Sequence, residues 1–223
     1  DKPETTKWMD YGKDHYAAIT FDNAPQGRRI LMTWMSNWQY GNQVPTLQFR
    51  SANTIACDLD LFEHNGQTYV GRTPSKELFA ARATPLFKNS TSARRTFNPA
   101  QGAYELVMAV KPQTKGKTRL TLQNAAGEKV VVSYDVAAQT LSVDRTQSGR
   151  TDFSDAFKAV TVAPTRGMIT TLRIFVDKSS VEVIDAQGKV SLTNLVFPST
   201  PYNTLLLENS GGNKSSVSAF EMK

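Results

Sequence analysis

The feature that most limits what this chain can become is a two-residue alternation that returns again and again along it. "AYELVMAV", "TRLTLQN", "KVVVSYDV", "TLRIFVD", "SVEVI" and "NTLLLEN" are rich in β-branched residues and read with a period of two, the spacing that sorts side chains onto the two faces of an extended strand. Between them lie "PQTKGK", "NAAGE", "DAQG" and "NSGGNK", whose Gly, Pro, Asn and Asp supply turns. No stretch holds a 3.6-residue apolar period for three turns between caps, so no helix is expected beyond a turn near "TDFSDAF". The pattern is that of an antiparallel β-sandwich, an all-β fold. Upstream, residues 15–35 read as a hairpin: "HYAAITF" runs out, Pro25 and Gly27 of "DNAPQG" turn the chain, and "RILMTWM" returns with Trp34 on the face of Ile30 and Met32.

A change of character falls between about residues 45 and 62, from an aromatic, compact stretch to short strands at regular spacing. Two units are expected, residues 1–58 and 59–223. The 223 residues suffice for one large all-β domain or two small ones. The first unit offers only a few strands, too few with a covered face to stand alone, so it must lean on something else.

Composition removes several classes of function. One cysteine, Cys57, rules out an internal disulfide, and His15 and His64 beside it give no zinc or iron spacing, so no metal or cofactor is expected. The net charge of +6 is spread thinly, with only isolated pairs such as Arg28-Arg29 and Arg94-Arg95, which argues against nucleic acid as a partner. No run approaches the roughly 20 apolar residues of a membrane span, and no basic, apolar leader opens the chain. It starts at Asp1 rather than Met, as an excised or processed piece would.

One stretch stands out for chemistry. "RRILMTWMSNWQY", residues 28–40, carries two of the three tryptophans, Trp34 and Trp38, interleaved with Ser36, Asn37 and Gln39. Indole faces among amides suit a sugar, whose C–H face stacks on a ring while its hydroxyls take hydrogen bonds. A core strand running into a loop is the other reading. Neither Ser179, which has no histidine near it in sequence, nor the acidic residues Asp10, Asp14, Asp58, Asp60 and Glu63 shows the pairing that nucleophilic or acid/base catalysis needs.

Taken together, "DYGKDHYAAITF", "RRILMTWMSNWQYGNQVPT" and "RSANTIACDL", then "SVDRTQSG", "RIFVDKSSVEV" and "FPSTPYN", resemble glycoside hydrolase family 32, the levanases, inulinases and invertases. The resemblance implies the last blade of a five-bladed β-propeller followed by a jelly-roll-like sandwich. It also implies a secreted or periplasmic enzyme acting on fructan or sucrose-like carbohydrate. The family's nucleophile, stabilising aspartate and acid/base glutamate lie in Trp-Met-Asn-Asp-Pro-Asn-Gly, Arg-Asp-Pro and Glu-Cys strings, none of which occurs here. A retaining glycosidase needs two carboxyl groups about 5–5.5 Å apart, so the chain alone is expected to be inactive and to brace the missing blades. Three departures stand out: Ala56-Cys57-Asp58-Leu59 replaces the family's usual Pro-Arg-Glu-Leu, Phe49 replaces a Trp, and Ile184 replaces a Phe.

By that resemblance Trp34, Asn37, Trp38 and Asp10 are the candidate substrate contacts. Core packing competes for Trp34, and turn hydrogen bonding for Asp10. Gly12 is expected at a backbone turn that a side chain would crowd. Asp144 and Arg145 are expected in a sandwich-internal ion pair or as turn stabilisers. The alternative to a hydrolase part is a stand-alone fructan-binding or purely structural sandwich module. Strand edges left open by absent blades would favour homo-oligomers through strand exchange.

Overall fold

The computed structural model describes residues 6–223. It is nearly all β, every strand pair is antiparallel, and three sheets form. The first contains β1 (Tyr16–Thr20), β2 (Ile30–Met35), β3 (Ala52–Asn53), β4 (Cys57–His64) and β5 (Gln67–Pro74), in the order β1-β2-β4-β5 with β3 alongside β2. The β1–β2 hairpin turns where Pro25 and Gly27 stand, through Gln26 and Gly27 at φ 64° and 66°. The division expected at residue 58 falls inside β4, and the sheet continues to Pro74.

A single helical turn, α1 (Glu77–Ala80), leads into the sandwich. The strands that follow are β6 (Arg82–Ser90), β7 (Arg94–Thr96), β8 (Tyr104–Lys111), β9 (Lys117–Gln123), β10 (Lys129–Asp135) and β11 (Thr140–Gln147). They continue with β12 (Val160–Pro164), β13 (Thr171–Asp177), β14 (Ser180–Asp185), β15 (Ser191–Leu195), β16 (Thr204–Ser210) and β17 (Lys214–Met222). One six-stranded sheet runs β12-β11-β10-β9-β16-β7 and the other β15-β14-β13-β8-β17-β6. The predicted alternation is carried out directly: on β10, Val130, Val132 and Tyr134 point inward while their neighbours are half-exposed. With Leu120, Leu122, Leu141 and Val143 they meet Leu106, Met108, Ile174, Val181 and Val183 of the facing sheet. Burying each such aliphatic side chain contributes about 1.5–3 kcal/mol, which is why this unit carries most of the apolar core.

"TDFSDAF" forms turns, not helix. Its Phe157 anchors a second, smaller core with Met35, Tyr40, Val44 and Leu195, so side chains of the first sheet and of the sandwich share it. Residues 10–14 run along the free edge of β15: Tyr11 N donates to Ser191 O at 2.9 Å and Asp14 N to Thr193 O at 3.1 Å. On the other flank, Arg72 N donates to Gly188 O at 3.0 Å. Among the described residues no helix is long and apolar enough to cross a membrane.

Candidate functional site: an aromatic face held by two buried arginines

Cross-strand pairing places Tyr16 of β1 opposite Trp34 of β2, and the loop after β2 folds Trp38 against both. Ring centroids are 6.2 Å apart for Tyr16–Trp34, 6.5 Å for Tyr16–Trp38 and 5.1 Å for Trp34–Trp38. Trp34 is half-buried, whereas Trp38 is 74 % exposed and Tyr16 55 %. Large aromatics so exposed are unusual for a core function. Asn37 closes the loop: its Nδ2 donates to Lys13 O at 2.7 Å, its Oδ1 accepts from Gln39 N at 2.9 Å, and its carbonyl accepts from Gly41 N at 2.7 Å. Lys13 Nζ donates to Gln39 Oε1 at 2.8 Å. The cluster therefore offers ring faces for stacking and a rim of amide and ammonium groups for hydroxyls.

Asp10, the fourth candidate, is buried at the seam between the first sheet and the sandwich. Its Oδ1 accepts from Gly12 N (2.7 Å) and Thr193 N (2.9 Å), and its Oδ2 from Arg72 Nη2 (2.6 Å) and Thr193 Oγ1 (2.9 Å). A carboxylate has about four acceptor positions, and all are filled from within the chain. Gly12 lies against β15 so closely that a Cβ would stand 1.9 Å from Thr193 O; the crowding comes from the partner strand's backbone, not from the turn itself.

Arg72 of β5 is the hub of this seam. Its Nε donates to Ser191 Oγ at 2.9 Å and its Nη2 to Thr193 Oγ1 at 2.7 Å, and its Nη1 lies 3.7 Å from both Cys57 Sγ and Glu182 Oε2. Glu182 of β14 in turn accepts from Ile55 N at 2.9 Å. Burial pushes the Glu182 carboxyl up to about 7 and the Cys57 thiol up to about 12. Burial also acts against the Asp10 carboxylate, but Arg72, His15 and the Thr193 and Gly12 amides outweigh it and hold its pKa below the usual range. Desolvation lowers His15 to about 4, and its Nε2 has no hydrogen-bond partner.

A second arginine is bonded to the loop that carries Trp38, through Tyr40. Asp144 and Arg145 are neighbours on β11 and so point to opposite sides of the sheet. Asp144 stabilises the local chain, accepting from Thr146 N (2.9 Å) and Oγ1 (2.7 Å). Arg145 corrects the expectation of a sandwich-internal pair, because its partner is Asp14 from the N-terminal strap, with Nη1 2.6 Å from Oδ2 and neither side chain exposed. The inward side of β11 at this point meets the strap as well as β15 of the other sandwich sheet. Arg145 also donates to Phe157 O, Leu195 O and Tyr40 Oη at 2.9, 3.0 and 2.9 Å, and its guanidinium lies 3.9 Å from the Phe157 ring centroid. Tyr40 Oη donates to Asp14 Oδ1 at 2.6 Å, and burial, reinforced by Asp14, raises its pKa.

Sequence reasoning passes over Arg72 and Thr193, and Glu182 enters it only within the β run "SVEVI". The available signal was Arg72 within "YVGRTP" and Glu182 within "SVEVI", charged residues set in β runs.

A short antiparallel sheet clamped to the edge of a β-sandwich, with aromatic residues presented on the sheet, is an all-β arrangement of two packed units. Comparison with known proteins gives it a family. Residues 67–223 match Glycosyl hydrolases family 32 C terminal, and residues 1–73 match the Glycosyl hydrolases family 32 N-terminal domain. The chain belongs to glycosyl hydrolase family 32. It is 36 % identical over 209 residues to the levanase of Bacillus subtilis (strain 168), covering 88 % of this chain and 31 % of that protein. It is 30 % identical over 230 residues to the extracellular exo-inulinase of Aspergillus awamori, covering 96 % of this chain and 42 % of that protein. The crystal structure of exo-inulinase from Aspergillus awamori superposes with a TM-score of 0.81 at 28 % identity, over 97 % of this chain and 44 % of that one. The chain thus spans less than half the length of these relatives.

Proposed function

We propose that this chain is the C-terminal part of a fructan hydrolase of the levanase and exo-inulinase type, a β-fructosidase acting outside the cytoplasm. In this reading the residues through Pro74 form the final propeller blade, and the sandwich braces it. Trp34, Asn37 and Trp38 form one wall of the sugar pocket, Asp10 fastens the strap to β15 and Arg72 at the seam, and the paired carboxyl groups belong to blades outside this chain. The observation that carries the reading is the exposed contact between the Trp34 and Trp38 rings on the blade sheet, which packing does not require.

The experiment is fructose release from levan, inulin and sucrose by the full-length protein, alongside a Trp38→Ala variant. Release with a raised KM in the variant supports the reading. No release from any of the three sugars overturns it. The 223-residue chain by itself releases no fructose, since a retaining mechanism needs both carboxyl groups. Separated from its neighbouring blades, it self-associates through β1, whose five residues are all exposed along a sheet edge. Size-exclusion chromatography giving a monomer counts against that part.

A further inference from the structure

We infer that Arg145, a residue of the sandwich, is a positioning residue for the sugar-stacking face of the blade. The inference rests on the functional reading above and adds to it the way one domain sets the geometry of the other's binding surface.

Trp38 is largely exposed, with its ring set against those of Trp34 and Tyr16, so its aim depends on the backbone of the loop that carries it. That loop is fixed at two places. Asn37 Nδ2 grips Lys13 O, and Tyr40, 1 % exposed, sits in the small core with Met35, Val44, Phe157 and Leu195. Both anchors converge on one guanidinium. Arg145 Nη1 holds Asp14, the residue next to Lys13, while Nη2 holds the Tyr40 hydroxyl. Asp14 bridges the two, taking the Tyr40 proton donor on Oδ1 and Arg145 together with Leu195 N on Oδ2.

Two further donors of Arg145 are committed to the sandwich, Nε to Phe157 O and the second Nη1 proton to Leu195 O. A planar fork with five donors can serve strap, loop and sandwich at once, which an ammonium on a flexible stem cannot. The arrangement is dry, since the side chains of Arg145 and Asp14 are unexposed, so its geometry is not averaged by water. A shift of this cluster is therefore passed to Trp38 from both sides, through Asn37 before it and Tyr40 two residues after it.

The test uses the full-length protein labelled with 5-fluorotryptophan, with Trp8, which is 61 % exposed and lies before the strap, as the internal reference. Tyr40→Phe deletes only the hydroxyl that joins Asp14 to Arg145, and Arg145→Lys keeps the charge but not the fork. The expected result is that the fluorine resonances of Trp34 and Trp38 shift or broaden in both variants while that of Trp8 does not. KM for fructan is then expected to rise about fivefold, the scale of one lost hydrogen bond, with kcat within about twofold. Lowered melting temperatures with unmoved Trp34 and Trp38 resonances would make the cluster a staple only and overturn the inference, as would equal losses in kcat with KM unchanged. Should the unsubstituted protein release no fructose at all, the functional reading fails, and the resonances still decide whether Arg145 positions the rings.

Discussion

Replacing Arg72 by methionine isolates the electrostatics of the seam, because methionine has a similar reach but no charge. The guanidinium is 1 % exposed and serves Asp10, Ser191 and Thr193 directly, with Cys57 and Glu182 at 3.7 Å. Its removal strips the buried Asp10 carboxylate of its counter-charge and takes one donor each from the Ser191 and Thr193 hydroxyls, which keep their bonds to Met9 O and Asp10 Oδ2. Breaking one side of a buried ion pair costs about 3–5 kcal/mol, which in a chain of this length corresponds to a melting temperature lowered by about 6–20 °C. The loss depends on pH in a defined sense. Losing Arg72 raises the folded-state pKa of Asp10 relative to the parent, whose burial penalty Arg72 offsets, so the folded variant binds more protons than the folded parent and its deficit grows as pH increases. The deficit is therefore smaller near pH 5 than near pH 8. Adding Asp10→Leu to Arg72→Met removes the stranded charge and restores part of the loss. Denaturant titrations of the full-length protein, followed by fluorescence and circular dichroism at both pH values, measure all three quantities. A single variant within about 1 kcal/mol of the parent, or a double variant no more stable than Arg72→Met alone, refutes the argument.

Two further outcomes are expected. The Glu182 carboxyl is raised by burial from 4.5 to about 7, so the folded state holds an extra proton and the parent loses stability as pH rises through that window. The Glu182→Gln variant escapes this term, and its stability relative to the parent improves by roughly 3 kcal/mol between pH 4.5 and 8. His15, lowered to about 4, changes stability in the opposite direction but cancels in the comparison; parallel pH curves would refute the assignment. Gly12→Ala forces a Cβ into Thr193 O and should cost about 1–3 kcal/mol. It should also speed hydrogen exchange of the Tyr11 and Asp14 amides, and unchanged exchange would contradict the close approach.

The sandwich was legible because its strands obey the simplest rule available. "KVVVSYDV" and "TLRIFVD" alternate or run apolar, and β10 and β13 form where they stand. The hairpin around Pro25 and Gly27 was equally plain, since its turn chemistry is local. What escaped the sequence is long-range. Arg72 and Asp10 lie 62 residues apart and Arg145 and Asp14 lie 131 apart, and nothing in composition announces that a strand arginine will be fully buried. Alternation does place Asp144 and Arg145 on opposite sides of β11, but not which neighbour covers each side. The candidate site divides the same way. Trp34 and Trp38 drew attention by composition alone, whereas the committed acceptors of Asp10 and the reach of Arg145 to Tyr40 exist only once the two units are packed.

The strap of residues 10–14 has a wider implication for how such proteins can be rearranged. β15 is the outermost strand of its sheet; the Tyr11 and Asp14 amides take its Ser191 and Thr193 carbonyls, and the Asp10 and Asp14 carboxylates take its Thr193 and Leu195 amides, the groups a further strand would otherwise seek. A sandwich transplanted onto another catalytic scaffold without this short segment would carry a sticky flank, prone to recruit stray polypeptide. Gene fusion or recombination involving this module therefore travels safely only when the donor supplies the pentapeptide, or the recipient provides a substitute plug.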